Sequence, residues 1–196
     1  MRLYGEAVAR FQTLYERAGH CGIDEPNAMT LATAGADGRP SARVMLLKGA
    51  DERGFVFYTN FESRKGLQIA EQPYVALCFF WPPLMEQVRV EGRAAPVPDA
   101  EADSYWKTRA RQSQIGAWAS RQSRPGEGIE ALEARIAEFR RRFADQPVPR
   151  PDYWSGYRVK PELIEFWEGG HYRQRIHRRT AYRQVAGTWE KFELDP

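Results

Sequence analysis

The stretch "MTLATAGADGRPSARVMLL", residues 29–47, holds the clearest folding instruction in the chain. Two runs rich in Thr, Leu, Val and Met flank "GADGRP", and Asp37-Gly38 is a strong hairpin signal because both residues tolerate positive φ. The segment therefore predicts two antiparallel strands. Working outward, "GFVFYTN" (54–60) reads as a further strand, and "SRKGLQIAEQ" (63–72) as a helix with Ser63 as its N-cap. "YVALCFFW" (74–81) and "EQVRVEGRAAPV" (86–97) predict two more strands joined across "PPLM". Over residues 3–18, Ala7, Val8, Phe11, Leu14 and Tyr15 fall at helical spacing, and "GIDEPNAM" (22–29) is a loop. Residues 100–109 predict a helix. Ile129, Leu132, Ile136, Phe139 and Phe143 share one helical face, so 129–143 predicts a docked helix ended by the Pro-rich "DQPVPRPD" (145–152). Short strands return at "YRVKPELIEFW" (157–167), "RQRIHRR" (173–179) and "TWEKFEL" (188–194).

Neither an internal repeat nor a separable linker interrupts this series. The expected organisation is a single domain over 1–196, with an N-terminal helix and loop (1–26), a docked helix (127–146) and C-terminal strands (154–196). The fold class is mostly β, a barrel with helical additions.

At 196 residues, 42% hydrophobic and 28% charged, the chain can bury a sizeable core. Its 29 basic against 26 acidic residues leave a net charge of +3, too mild to argue for nucleic acid or a membrane surface. Cys21 and Cys78 form no metal-ligand spacing, and nothing requires an oxidising compartment. "MRLYGEAVARF" has no apolar signal-type core, and no segment is long enough to span a bilayer, so cytoplasm is expected.

Local chemistry points to anions. "ARQSQIGAWASRQS" (110–123) is dense in donors, among them Arg111, Gln112, Ser113, Gln114, Ser120, Arg121, Gln122 and Ser123, and holds no acid. An anion site and a solvated loop both fit that composition. Tyr105, Arg109 and Ser113 are spaced at i, i+4 and i+8, an arc of about 80° on a continuous helix, which suits a phosphate or a solvated face. Arg43 and Lys48 bracket a strand and point to opposite faces, as two anion contacts or as strand-end charges. Arg64 and Lys65 fall on the first turn after Ser63, where the helix dipole disfavours cations unless a bound phosphate, or an acidic surface partner, compensates them. Strand alternation in "RQRIHRR" puts Arg173, Arg175, His177 and Arg179 on one face, next to an anion or as a generic basic patch. No Ser-His-Asp spacing, HExxH or phosphate-type glycine loop supports a hydrolase or a metalloenzyme, and no metal site is expected. The signals converge on two phosphate-sized anions with aromatic surfaces between them.

From about Asn27 onward, the constellation "RVMLLK…GFVFYTN…SRKG…QVRVEG…YWKTRARQSQIGAWASRQS…EFWEGG…RIHRR…Y" resembles the pyridoxine 5′-phosphate oxidase family. The resemblance implies an FMN-binding split-barrel homodimer with active sites at the subunit interface. It implies oxidation of pyridoxine or pyridoxamine 5′-phosphate to pyridoxal 5′-phosphate by hydride transfer to the flavin, with oxygen as acceptor and hydrogen peroxide as product. By the same resemblance Lys48, Tyr105, Arg109 and Ser113 hold the substrate phosphate. Arg43, Val44, Met45, Leu46, Leu47, Lys48, Tyr58, Thr59, Arg64, Lys65, Gln87, Gln122, Ser123, Trp167 and Arg179 line the FMN. Arg175 and His177, within "RIH", lie over the substrate ring as the catalytic pair. Four residues, "HYRQ", separate "WEGG" from "RIH" where the family usually has two, and an ungapped match would put Arg173 and Arg175 on those positions instead. Arg178 follows the His where the family usually carries an acid. The rival readings are a phenazine-type split-barrel flavin oxidase and a protein that binds FMN or pyridoxal phosphate without turnover. A nucleic-acid module is disfavoured by the small net charge.

Overall fold

The computed structural model describes residues 2–126, 128–170 and 176–196. The hairpin at its centre forms as the sequence requires: β1 (Ala28–Ala34) and β2 (Pro40–Leu46) pair antiparallel from Ala28↔Leu46 to Ala34↔Pro40. In the turn Gly38 adopts φ 72° and the Asp37 carboxylate accepts from the Arg39 amide. The further strands are β3 (Gly49–Asp51), β4 (Gly54–Asn60), β5 (Tyr74–Trp81), β6 (Glu86–Pro96), β7 (Trp154–Glu168), β8 (Arg178–Val185) and β9 (Thr188–Leu194). Together the described strands make one antiparallel sheet of order β2-β1-β5-β6-β7-β4-β3, with β8 and β9 continuing from β7.

The curl of this sheet comes from β7. Its first part pairs with β4 (Trp154↔Asn60 to Val159↔Phe55) and its last part with β8 (Leu163↔Arg183 to Glu168↔Arg178), while β6 pairs with it from Tyr157 to Glu168. The register slips between Glu91 and Gly92, opposite Pro161. There a Cβ on Gly92 would lie 2.1 Å from the Lys160 carbonyl oxygen, so only glycine allows the two strands to approach this closely as the sheet bends. Inside the curl, alternate residues fill the core: Leu31, Leu77, Phe79, Val88, Val90, Ile164 and Phe166 are fully buried. The opposite face of β5 carries the exposed Tyr74 and Phe80.

Helix α1 (Arg2–Gly19) closes the core by inserting Phe11 edge-on against Phe55 and Phe79, at 4.8 and 5.0 Å. A second, smaller core of Trp106, Ile115, Phe143, Val148 and Trp154 packs α3 (Asp99–Thr108), α4 (Arg111–Ala119) and α5 (Ile129–Arg142) against the start of β7.

Three expectations need correction. Tyr105, Arg109 and Ser113 do not share a continuous helix, because Arg109 (ψ 141°) and Ala110 (ψ 135°) are extended and separate α3 from α4. The small core explains the break. Trp106 and Ile115 are nine residues apart and would project about 180° apart on one straight helix. Two helices let both side chains enter the same core. The strand expected over 173–179 begins only at Arg178; residues 173–175 lie outside the described ones, and Ile176 and His177 precede the strand. Finally, α5 docks through the half-buried Leu132, Ile136 and Phe139. Ile129, at the first position of the helix, is 66% exposed.

Candidate functional site

Although the helix breaks, its two halves still bring Tyr105, Arg109 and Ser113 together. With Val44, Met45 and Leu46 of β2, Lys48 just beyond it and Tyr58 of β4, they line a cavity of about 460 Å³. The Arg109 guanidinium stacks over Trp154 at 4.7 Å, and its Nη2 donates to the Ser113 carbonyl at 3.2 Å. Its Nε is buried and has no hydrogen-bond partner. Burial lowers the guanidinium's pKa from its ordinary value, and among the described residues what offsets this is the Tyr105 phenol, not a carboxylate. A cation held this way, with Lys48 on the same wall, is arranged for an anion that comes from outside the protein.

Arg109, Ser113, Met45 and Tyr58 also border a second cavity of about 360 Å³, completed by Thr59, Asn60, Gly116, Ala117, Ser120, Gln122 and Trp154. Behind it lies the start of α2 (Arg64–Glu71), where Ser63 caps the helix by accepting from the Gly66 amide. Lys65 on that first turn is buried, and its Nζ donates only to neutral oxygens: Ser63 Oγ at 3.2 Å, Thr59 Oγ1 at 3.3 Å and Gln122 Oε1 at 3.4 Å. Burial first, and then the charge of Arg43, pushes the lysine down to about 8. Arg43 is lowered in turn by burial and by the charge of Arg64. Three cations thus crowd the N-terminus of a helix whose first turn holds no acid.

A second group of residues sits on β6, β7 and β8. Gln87, Trp167 and Arg179 are direct cross-strand neighbours, so their side chains share one face of the sheet. One row further along that face, Glu165 is 5% exposed and accepts from Arg89 at 3.2 Å and from Arg179 Nε at 2.9 Å. The His177 ring packs on Trp167 at 4.6 Å, with its Nδ1 buried and unpartnered. None of these residues lines either cavity.

Residues 17–143 match the family model described as pyridoxamine 5′-phosphate oxidase, and residues 154–196 match the pyridoxine 5′-phosphate oxidase C-terminal dimerisation region. The chain belongs to the pyridoxamine 5′-phosphate oxidase family. It is 56% identical over 191 residues to a pyridoxine/pyridoxamine 5′-phosphate oxidase of Myxococcus xanthus, covering 97% of this chain and 92% of the relative. Another enzyme of that name, from Alkalilimnicola ehrlichii, is 51% identical and is matched over 100% of both chains. Among solved structures, PhzG from Burkholderia lata in complex with tetrahydrophenazine-1-carboxylic acid superposes with a TM-score of 0.91 at 32% identity, over 96% of this chain and 92% of that one. No helix among the described residues is long and apolar enough to cross a membrane.

Of the residues that the likeness to pyridoxamine 5′-phosphate oxidases implies, the two cavities gather Lys48, Tyr105, Arg109 and Ser113 together with Val44, Met45, Leu46, Tyr58, Thr59 and Gln122. Arg43 and Lys65 stand behind the cavity walls. The Arg43 guanidinium donates to the Leu31 carbonyl at 3.2 Å and to Thr33 and Ser41, and Arg64 is exposed on the first turn of α2. Leu47 is turned into the main core, and Ser123, at φ 68°, borders an outer groove with Arg121 and Arg124. Gln87, Trp167, Arg179 and His177 form the separate row, and Arg175 lies outside the described residues. Two residues were not foreseen. Trp154 stacks under both Tyr58 and Arg109, and Glu165 fixes Arg179. A lone tryptophan or glutamate in a strand carries no spacing signal; only the fold reveals their partners.

Proposed function

We propose that the protein is an FMN-dependent oxidase that converts pyridoxine or pyridoxamine 5′-phosphate to pyridoxal 5′-phosphate, with oxygen as final acceptor and hydrogen peroxide as product. The observation that carries this reading is Arg109, a half-buried guanidinium without a carboxylate partner and with an unpartnered Nε, facing a cavity that Lys48, Tyr105 and Ser113 complete. A phosphate monoester supplies the missing charge and accepts from all four groups. The crowded cations Arg43, Arg64 and Lys65 at the α2 N-terminus fit a second phosphate, that of the flavin. When bound there, FMN supplies the two-electron acceptor that oxygen regenerates.

The chain's own groups orient the substrate. The phosphate corner anchors one end of the pyridine, and the carboxylate-free walls keep a dianionic ligand from being repelled. Trp167, His177 and Arg179 line neither cavity of their own chain, and the chain carries the family's dimerisation region. In the proposed homodimer each site therefore combines the cavities of one copy with the Gln87–Trp167–Arg179 row and the 175–177 segment of its partner.

The deciding experiment is anaerobic. Adding pyridoxine 5′-phosphate to the FMN-loaded protein should bleach the flavin absorbance, and air should restore it with release of peroxide. A flavin that stays yellow with both phosphorylated vitamers would reject the proposal. The alternative, a phenazine-type oxidase, is favoured by the structural likeness to PhzG. The Lys48 and Arg109 pair argues against it, because the single charge of a phenazine carboxylate compensates two cations less fully than a dianionic phosphate does.

A further inference from the structure

We propose that Trp154 is a positioning residue that holds Arg109 for the substrate phosphate by giving the guanidinium an aromatic face instead of a carboxylate. The inference rests on the phosphate reading of the cavity and adds a residue that acts through Arg109.

Arg109 stands at the extended break between α3 and α4. Its guanidinium carbon lies 4.7 Å from the centroid of the Trp154 ring and 5.7 Å from that of Trp106. Those two rings meet edge to face at 4.8 Å and 66°. Trp154 is itself fixed. It is 5% exposed, opens β7 opposite Asn60, and receives the Arg150 guanidinium on its carbonyl at 3.0 Å. Trp106 is tied through its indole N–H to the Val148 carbonyl at 2.8 Å.

The choice of partner has a chemical consequence. A carboxylate beside Arg109 would occupy its donors, cancel its charge and repel an incoming phosphate. The negative face of an indole attracts the cation through its quadrupole without occupying any N–H group at the guanidinium edge, where Nη2 donates to the Ser113 carbonyl. The same ring lies nearly parallel to Tyr58 at 5.4 Å and 11°, and to Tyr105 at 6.2 Å and 5°. Tyr105 stacks directly on Tyr58 at 3.9 Å and 15°, so the indole holds the guanidinium itself and the phenol of the phosphate corner together with Tyr58.

The test uses the FMN-loaded protein and two probes, pyridoxal 5′-phosphate and pyridoxal. The ratio of their affinities isolates the phosphate contribution, and a general loosening of the fold would weaken both alike. Trp154→Leu should lower the ratio by about 3- to 30-fold, the range of a partly desolvated cation–π contact. Trp154→Phe, which keeps an aromatic face, should fall between it and the parent, and decides the matter alone if the leucine variant does not fold. In an Arg109→Ala background, Trp154→Leu should change the ratio little. An unchanged ratio in the foldable Trp154 variants, or effects that simply multiply with those of Arg109→Ala, would overturn the inference. If Arg109→Ala itself leaves the ratio unchanged, the phosphate reading falls and the inference with it.

Discussion

An arginine or lysine taken out of water without an acid raises the free energy of the folded chain until an anion arrives. Arg109 and Lys65 are such residues, and their removal should act differently. Arg109→Ala should raise the KM for pyridoxine 5′-phosphate by about 10- to 100-fold, the worth of charge-assisted hydrogen bonds, while FMN stays bound. Steady-state kinetics with a flavin titration separates the two effects. For Lys65, the folded, flavin-free protein holds the ammonium pKa at about 8 against 10.5 for the free side chain. Between those values the unfolded chain binds the proton and the folded one does not, so stability rises with pH across this window. A bound phosphate prefers the charged lysine, so FMN affinity should fall as pH rises through about 8. Lys65→Met should abolish that dependence, weaken FMN, and stabilise the flavin-free protein by roughly 1–3 kcal/mol, measured by urea unfolding. At this scale the sequence was informative wherever donors clustered without acids, as in residues 105–123. It was silent on Trp154 and Glu165, whose roles depend on partners from other elements: Arg109 for the tryptophan, and Arg89 and Arg179 for the glutamate.

Elements announced by a turn or by periodicity formed as expected: the Asp37-Gly38 hairpin, the Ser63-capped helix and the Phe11 face of α1. The helix expected over 100–109 formed as α3, but the restart of α4 after two extended residues carries no Gly or Pro signal, because the demand for it comes from a tertiary core that needs Trp106 and Ile115 on one side. Arginine alternation in 173–179 looked like a strand, yet β8 starts where a partner strand is available, at Arg178↔Glu168. The β6–β7 register slips at Gly92, where the two strands approach closely. Gly92→Ala would force its Cβ against the Lys160 carbonyl and should cost about 2 kcal/mol or more, read from the shift in the urea midpoint. Glu165→Ala would leave Arg89 and Arg179 facing each other without their shared carboxylate. Because both arginines are partly solvated, the cost should be about 1–3 kcal/mol. A matching loss of FMN affinity is expected, and Glu165→Gln should recover part of each.

For the whole molecule, the division of the site between two groups on one chain predicts complementation. Homodimers of Arg109→Ala and of Trp167→Ala should each be crippled. Mixed and refolded together, they should recover roughly a quarter of parental sites, since half the dimers are mixed and each of those carries one intact site. No recovery would mean that both groups serve the same copy's site. The order in which the chain is made matters too. Helix α1 ties itself to the far end of the sequence: Glu6 accepts from the Tyr182 hydroxyl and from Lys191, Arg10 pairs with Glu168, and Tyr4 stacks on Trp189. On a ribosome the helix emerges long before any of these partners. Phe11 can meet Phe55 and Phe79 once β4 and β5 have been translated, but the ties of Glu6, Arg10 and Tyr4 must wait for the end of β7 and for β8 and β9, so α1 is fixed in two stages and its Tyr4–Arg10 edge last.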